Sequence, residues 1–266
     1  MVSVIVSFYE RLGYLRACLD SLRLSDRDFD EVIIADDGSS SKTVEELRQL
    51  ISRYDFPVHH VWHEKDGFRL AAARNNGIRA ARGDYLIFLD CDFVVLPDTI
   101  RQHRLAARRG RYVAGLCKYL PEKETKELLQ APLSREVLVQ TYGSQPERPL
   151  RREHRTFLSY VLRRKLWLVG PKKPQCSSHF SIHRADLEYV NGYDENFVGW
   201  GGEDEDLSTR MNMAGFQGHS VITTAKVLHL WHPKELGNRS WQAGANVAYL
   251  NRDHVPFRCE NGLVKF

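Results

Sequence analysis

The sequence predicts an α/β fold with a mostly parallel central sheet flanked by helices. Three observations carry this reading. Short apolar runs rich in β-branched residues, at Val2 to Val6, Glu31 to Ala35, Phe56 to His63 and Tyr85 to Leu89, recur through the first 92 residues. Segments of helical period separate them, and that alternation is the signature of βαβ units. Several of these runs also stop abruptly at polar or acidic residues, as strands do when their carboxyl ends line a ligand crevice.

Taken in order, Met1 to Tyr9 reads as a first buried strand that leaves Ser7 and Tyr9 at its carboxyl edge. Leu12, Leu15, Leu19 and Leu22 then recur at helical spacing. The second strand, Glu31 to Ala35, runs into Asp36-Asp37-Gly38-Ser39-Ser40-Ser41 and a helix from Thr43 to Arg53. A carboxylate there can accept from a base or ribose donor, and the same residues also suit a plain turn with a helix N-cap. After the third strand, the charged stretch Glu64 to Leu70 leads into an Ala-rich helix, Ala71 to Arg82, whose small residues permit tight packing on the sheet. Arg74 and Asn75 fall near its beginning, where an anion is favoured, and Gly83 is expected to close it.

The run Tyr85 to Leu89 is nearly all apolar and ends in Asp90-Cys91-Asp92. Burying that strand gives no reason for two aspartates. Carboxylate oxygens suit hard divalent cations such as Mg²⁺ or Mn²⁺, which commonly bridge protein to nucleotide phosphates. An isolated Asp-x-Asp is equally a polar exit from a strand, so the weight comes from its surroundings.

Beyond Asp92, Pro97 to Gly110 reads as a basic helix, Arg111 to Leu120 as a strand, and 121 to 176 as helical pieces and loops without clear periodicity. His154 to Val169 is a basic amphipathic segment, able to lie on anionic lipid or to pack on its own domain. Ser177 to His183 reads as a strand and Asp186 to Asn191 as a short helix or turn. Gly199-Trp200-Gly201-Gly202-Glu203-Asp204-Glu205-Asp206 then opens a helix through about Met213. Four acids suit the positive end of a helix dipole, yet they repel one another, and capping does not explain the preceding Trp-Gly-Gly. An aromatic platform beside a carboxylate suits sugar recognition, and a carboxylate can act as general base toward a hydroxyl. Finally, Val227 to Pro233 places His229 and His232 just after a strand-like run. One of them can complete a cation site with the Asp-x-Asp, and a mixed oxygen and imidazole set suits Mn²⁺; the spacing alone does not assign zinc.

Composition bounds the remaining possibilities. At 266 residues, 42% hydrophobic and 27% charged, the chain fits one large domain or a domain with a subdomain. Its apolar runs are too short to span a bilayer, and its N-terminus lacks the layout of a secretory signal. Five cysteines without a pairing pattern indicate free thiols, a reducing compartment and a cytoplasmic location, with attachment to the inner membrane face left open. The net charge of +4 hides an asymmetry, because residues 101 to 173 hold 18 Lys or Arg against 6 Glu. Such a block fits a solvated face or an anionic partner, whether a phosphorylated glycolipid, a membrane surface or nucleic acid.

The segments Val-Ile-Val-Ser-Phe-Tyr, Ala-Asp-Asp-Gly-Ser, Ala-Ala-Arg-Asn-Asn-Gly-Ile, Leu-Asp-Cys-Asp, Trp-Gly-Gly-Glu-Asp-Glu-Asp and His-Leu-Trp-His, in this order, resemble a family 2 glycosyltransferase of the GT-A fold. The carboxyl part is similar to the galactosyltransferase and chondroitin-synthase type of C-terminal region. The resemblance covers residues 2 to about 92 and 177 to 233. It implies a nucleotide-sugar-binding half at 1 to 120, an acceptor-binding and catalytic half at 121 to 233, and a C-terminal extension at 234 to 266. It also implies that Ser7, Tyr9 and Asp37 hold uracil and that Arg74 positions the nucleotide or its phosphates. Asp90 would contact the ribose or metal region, and Asp92 would ligate Mn²⁺ or Mg²⁺ with His232, His229 being the less favoured ligand. Asp204 would be the catalytic base, with Trp200, Gly202 and Glu203 lining the acceptor site.

The implied activity is a metal-dependent, inverting transfer of a hexose or N-acetylhexosamine from a UDP-sugar to a glycan or glycolipid hydroxyl in cell-surface polysaccharide synthesis. A nucleotidyltransferase also uses metal-binding aspartates on a parallel sheet, but the Trp-Gly-Gly-Glu-Asp segment disfavours it. A module that merely binds a glycan, nucleic acid or another anionic polymer leaves both acidic sites without a purpose.

Overall fold

The computed structural model describes residues 1–172, 178–233 and 244–266. Val2–Phe8 (β1), Glu31–Asp36 (β2), Val58–Trp62 (β3) and Tyr85–Asp90 (β4) form a parallel unit in the order β3-β2-β1-β4. Every residue of β1 and β2 is buried, which is what the unbroken apolar runs anticipate for strands covered on both faces. The intervening helices are Leu12–Leu24 (α1), Ser41–Ile51 (α2) and Leu70–Ala80 (α3). The Ser40 side chain caps α2 by accepting from the Thr43 amide. Gly83 does not close α3, which already ends at Ala80; it lies against Ser3, where a Cβ would come within 2.5 Å of the hydroxyl.

After β4 come Phe93–Val95 (β5), Thr99–Ala106 (α4), Arg111–Ala114 (β6) and Lys118–Tyr119 (β7). The single strand expected from Arg111 to Leu120 is thus two. β6 joins the large sheet while β7 joins a small one, ordered β5-β10-β7, where β10 is Val227–His229. Residues 121 to 172 are mainly three helices, Glu122–Gln130 (α5), Arg135–Ser144 (α6) and Arg148–Lys165 (α7). Phe180–His183 (β8) inserts antiparallel between β4 and β6; the Ser177 start expected for it lies outside the described residues. Arg184–Tyr189 (α8), Glu203–Met213 (α9), Gln217–Ser220 (β9), Val227–His229 (β10) and Asn246–Leu250 (α10) complete the chain.

The result is a mixed seven-stranded sheet, β3-β2-β1-β4-β8-β6-β9, with parallel pairing dominant. One apolar cluster packs α1 and α2 on one face through Leu15, Leu19, Leu22 and Leu47. Another packs α3, α8 and α9 on the other through Ile78, Leu187, Leu207 and Met211. Among the described residues no helix is long and apolar enough to cross a membrane.

Candidate active site

Parallel register brings the predicted donor-side residues to one edge. Ser7 stands opposite Asp90 across β1 and β4, and Phe8 opposite Asp36 across β1 and β2, so Tyr9 and Asp37 leave adjacent strands together. Asp37 is buried, and its carboxylate is fully engaged. It pairs with His63 Nε2 at 3.0 Å, accepts from Lys65 Nζ at 3.2 Å and accepts the Arg69 amide at 3.1 Å on each oxygen. Lys65 Nζ also sits 3.6 Å above the Tyr9 ring. His63, Lys65 and Arg69 also border a cleft of about 580 Å³, lined as well by Glu64, Asp66, Asn76, Arg79, Glu195 and Lys265.

Arg74 is the hub of the site. Rather than waiting for an anion at the start of α3, it is fully buried and already satisfied by protein. Its Nε donates to Ser7 Oγ at 3.1 Å, Nη2 to Asp90 at 3.3 Å, and Nη1 to both Glu203 at 3.2 Å and Asp204 at 2.9 Å. The Tyr193 ring lies 5.2 Å from its guanidinium carbon. The planar fork of an arginine suits such multiple donation. Three carboxylates nevertheless share one cation. Burial, reinforced by Glu203 and Asp90, pushes the Asp204 carboxyl up to about 7 despite the adjacent guanidinium.

Three of the four acids that open α9 divide by partner. Glu203 and Asp204 turn to Arg74, whereas Asp206 pairs with buried Arg210 at 2.6 Å and with Arg252 at 2.8 Å. Three arginines, Arg74, Arg210 and Arg252, therefore offset the repulsion that made this run unexpected in sequence. Glu203, expected to line an acceptor, is instead buried beneath Asp204 as a partner of Arg74. Gly201 and Gly202 carry φ of +88° and +97°, and a Cβ at Gly202 would lie 2.9 Å from the Phe197 ring. This left-handed turn leaves Trp200 at the surface, 43% exposed. From α10, Asn246 donates to the carbonyls of Gly199 at 3.3 Å and Gly201 at 2.8 Å.

On the other side of Asp90, both histidines converge on Asp92. His232 Nε2 is 3.1 Å and His229 Nε2 3.8 Å from its carboxylate, and one ligand atom from each of the three residues lies within 4.8 Å of the others. The ring of each histidine is oriented through Nδ1, by the Leu230 and Pro233 carbonyls. Asp92 Oδ1 is buried with no hydrogen-bond partner, 3.8 Å from His229 Nε2, while Oδ2 faces His232. A mixed oxygen and imidazole donor set with an orphaned carboxylate oxygen fits Mn²⁺. Burial alone would raise the Asp92 carboxyl, but His232, His229 and Arg11 hold it below its ordinary range.

Several contributors were not assigned from sequence. Arg11 Nη1 reaches Asp92 at 3.5 Å, and the Tyr14 hydroxyl donates to the Trp231 carbonyl at 3.0 Å. Tyr119 places its ring 4.7 Å from that of His229. Lys65 lies in a charged stretch visible in sequence, but nothing there points it at Asp37. Tyr193 and Asn246 carry no local signal at all.

Residues 3–184 match the model of glycosyl transferase family 2, and residues 171–233 match a domain described as the N-terminal domain of galactosyltransferase. The validoxylamine A glucosyltransferase of Streptomyces hygroscopicus subsp. jinggangensis is 32% identical over 268 residues, covering 95% of this chain and 60% of the relative, so the chain spans well under two thirds of that protein. The fold is that of GalNAc-T7, solved with UDP, GalNAc and Mn²⁺ (TM-score 0.64, 17% identity, 94% of this chain and 48% of that one). It is also that of the Pyrobaculum calidifontis mannosyltransferase PcManGT, solved with GDP-Man and Mn²⁺ (TM-score 0.58, 19% identity, 88% and 58%). With a match across two thirds of its length laid over a GT-A sheet, the chain belongs to glycosyl transferase family 2.

Proposed function

We propose that this chain carries out a divalent-cation-assisted, inverting transfer of a hexose or N-acetylhexosamine from a UDP-sugar to a hydroxyl of a glycan or glycolipid, in cell-surface polysaccharide synthesis. One observation carries the reading: the Arg74 guanidinium ties Asp90, next to the Asp92 cation set, to Asp204 at the start of α9. In this reading a diphosphate and a proton acceptor lie on either side of that arginine.

In this reading Tyr9 offers a stacking face for the base and Asp37 accepts from it once Lys65 or His63 gives way, while Ser7 and Asp90 border the ribose. Asp92, His232 and His229 are the residues that would hold Mn²⁺ or Mg²⁺. Bound there, the cation would neutralise charge developing on the departing diphosphate. Arg74 fixes the spacing between those two sides and keeps Glu203 and Asp204 oriented. Asp204, 24% exposed and with an affinity for protons close to neutral, takes the proton of the attacking hydroxyl on the face opposite the leaving group. Trp200 offers its ring to the acceptor sugar, and Gly202 lets the chain turn close beneath it. The donor half at 1 to 120 and the acceptor half at 121 to 233 then meet at Arg74, with 244 to 266 bracing the second. The buried, unpaired Cys18, Cys91, Cys117 and Cys259 support a reducing, cytoplasmic setting.

A screen of UDP-sugars and GDP-mannose with Mn²⁺, reading nucleoside diphosphate release, tests the proposal. Release of UDP from one hexose or N-acetylhexosamine donor is expected. Release of pyrophosphate instead would indicate a nucleotidyltransferase, and preference for GDP-mannose would overturn the uracil assignment.

A further inference from the structure

α7 is apolar on two sides. Its inner stripe, Leu150, Phe157 and Tyr160, is buried, with Phe157 against Gly218 of β9. A second stripe runs through Arg151, Arg155, Leu158, Leu162 and Leu166 at steps of four, three, four and four residues, so it faces away from that core. Leu162 is 58% exposed, and the turn that follows the helix carries Trp167 and Leu168, 84% and 65% exposed. Trp167 adopts φ of +59°, a left-handed conformation unusual for an aromatic residue, and this turn displays the indole outward.

Charge surrounds this second stripe. Residues 148 to 165 hold seven Arg or Lys against one Glu. Elsewhere in the basic block several cations are spent internally: Arg101, Arg104 and Arg135 pair with Asp26 and Asp28, and Arg109 with Asp186. On α7, Arg151 meets Glu147, while Arg148, Arg152, Arg155, Arg163 and Lys165 have no acidic partner among the described residues. Leucines and an indole at the level of an arginine girdle match a bilayer interface, where acyl chains lie just below anionic headgroups. A symmetric contact between two copies would set these positive faces against each other.

We propose that α7 and the Trp167 turn form a docking surface for an anionic lipid bilayer. The test is flotation of the purified chain with phosphatidylcholine vesicles prepared without and with phosphatidylglycerol, at low and at physiological salt. Retention on the anionic vesicles, weakened by salt, with a blue shift of tryptophan emission that Trp167→Phe abolishes, is expected. Leu158→Asn with Leu162→Asn should lower partitioning about tenfold or more, and Arg155→Glu with Arg163→Glu should remove the preference for anionic lipid, each with an unchanged thermal midpoint. Equal retention on neutral vesicles, no retention on either, or retention indifferent to both double variants would overturn the proposal. So would concentration-dependent self-association lost in the leucine variant together with absent vesicle binding.

Discussion

Asp204 lies 2.9 Å from Nη1 of Arg74, yet burial, reinforced by Glu203 and Asp90 around the same guanidinium, pushes its carboxyl up to about 7. An ion pair in isolation would act the other way. Burial decides the sign, with the neighbouring carboxylates adding to it, and it sets Asp204 near the acidity at which a general base is most useful.

Replacing Asp204 by Asn keeps the shape and removes the proton acceptor. Turnover should fall by about 10²–10⁴-fold, while UDP binding measured by calorimetry stays nearly unchanged. Wild-type turnover should decline as pH drops through about 7, as Asp204 takes up a proton. Its folded-state affinity for protons is raised, so stability is fully present at low pH and is lost as pH rises through about 7. Asp204→Asn should therefore raise Tm by about a few degrees at pH values above 7. Unchanged turnover in the variant would remove Asp204 from the mechanism.

Removing Asp92 by alanine substitution, or chelating divalent cations from the wild-type protein, should abolish cation-dependent UDP binding in a titration. His232→Ala and His229→Ala should each weaken it, since both imidazoles face the same carboxylate. Binding indifferent to all of these would eliminate the cation assignment.

Arg74→Met should destabilise the protein by about 3–5 kcal/mol, because buried carboxylates would lose their shared cation. Arg74→Lys keeps a charge but offers a point instead of a fork, so it should recover part of the stability and little of the turnover. Chemical denaturation of both variants checks the ordering.

Asn246→Ala should loosen the Trp200 turn by removing its donors to Gly199 and Gly201. The expected outcome is a higher KM for acceptor with UDP affinity preserved, a split that general destabilisation would not produce.

A second titration involves residues outside the proposed cation set. His103 and His179 are fully buried and face each other, Nε2 to Nε2, at 2.8 Å, with Ser181 on His103. Burial lowers the proton affinity of both, His179 to about 4, and His179 lowers that of His103 further. Since the folded values are depressed, stability is fully present above about 6.5 and falls as pH drops toward 4, at about 1.4 kcal/mol per pH unit for each histidine. Thermal melts across that interval should show the slope, and His103→Phe should flatten it.

The parallel core was readable because β1, β2 and β4 are buried on both faces and so are almost uniformly apolar. The antiparallel insertion of β8 was not, since an apolar run carries no sign of its direction. The strands of the small sheet, two or three residues each, are too short to show a period, which is why β6 and β7 merged into one expected strand. Within the site, Asp90, Asp92, Asp204 and the two histidines stood out because burial gives no reason for them. The bond between Arg74 and Asp204 spans 130 positions and the hold of Asn246 on Gly201 spans 45, so neither leaves a trace in local spacing.

The ties from Asn246 to the Trp200 turn and from Arg252 to Asp206 have a practical edge. The region matching known domains stops at residue 233, and a truncation drawn at that boundary would look conservative. It would keep Asp92, Asp204 and both histidines while severing the struts behind them. Such a fragment should behave as a nucleotide binder that has forgotten how to seat its second substrate.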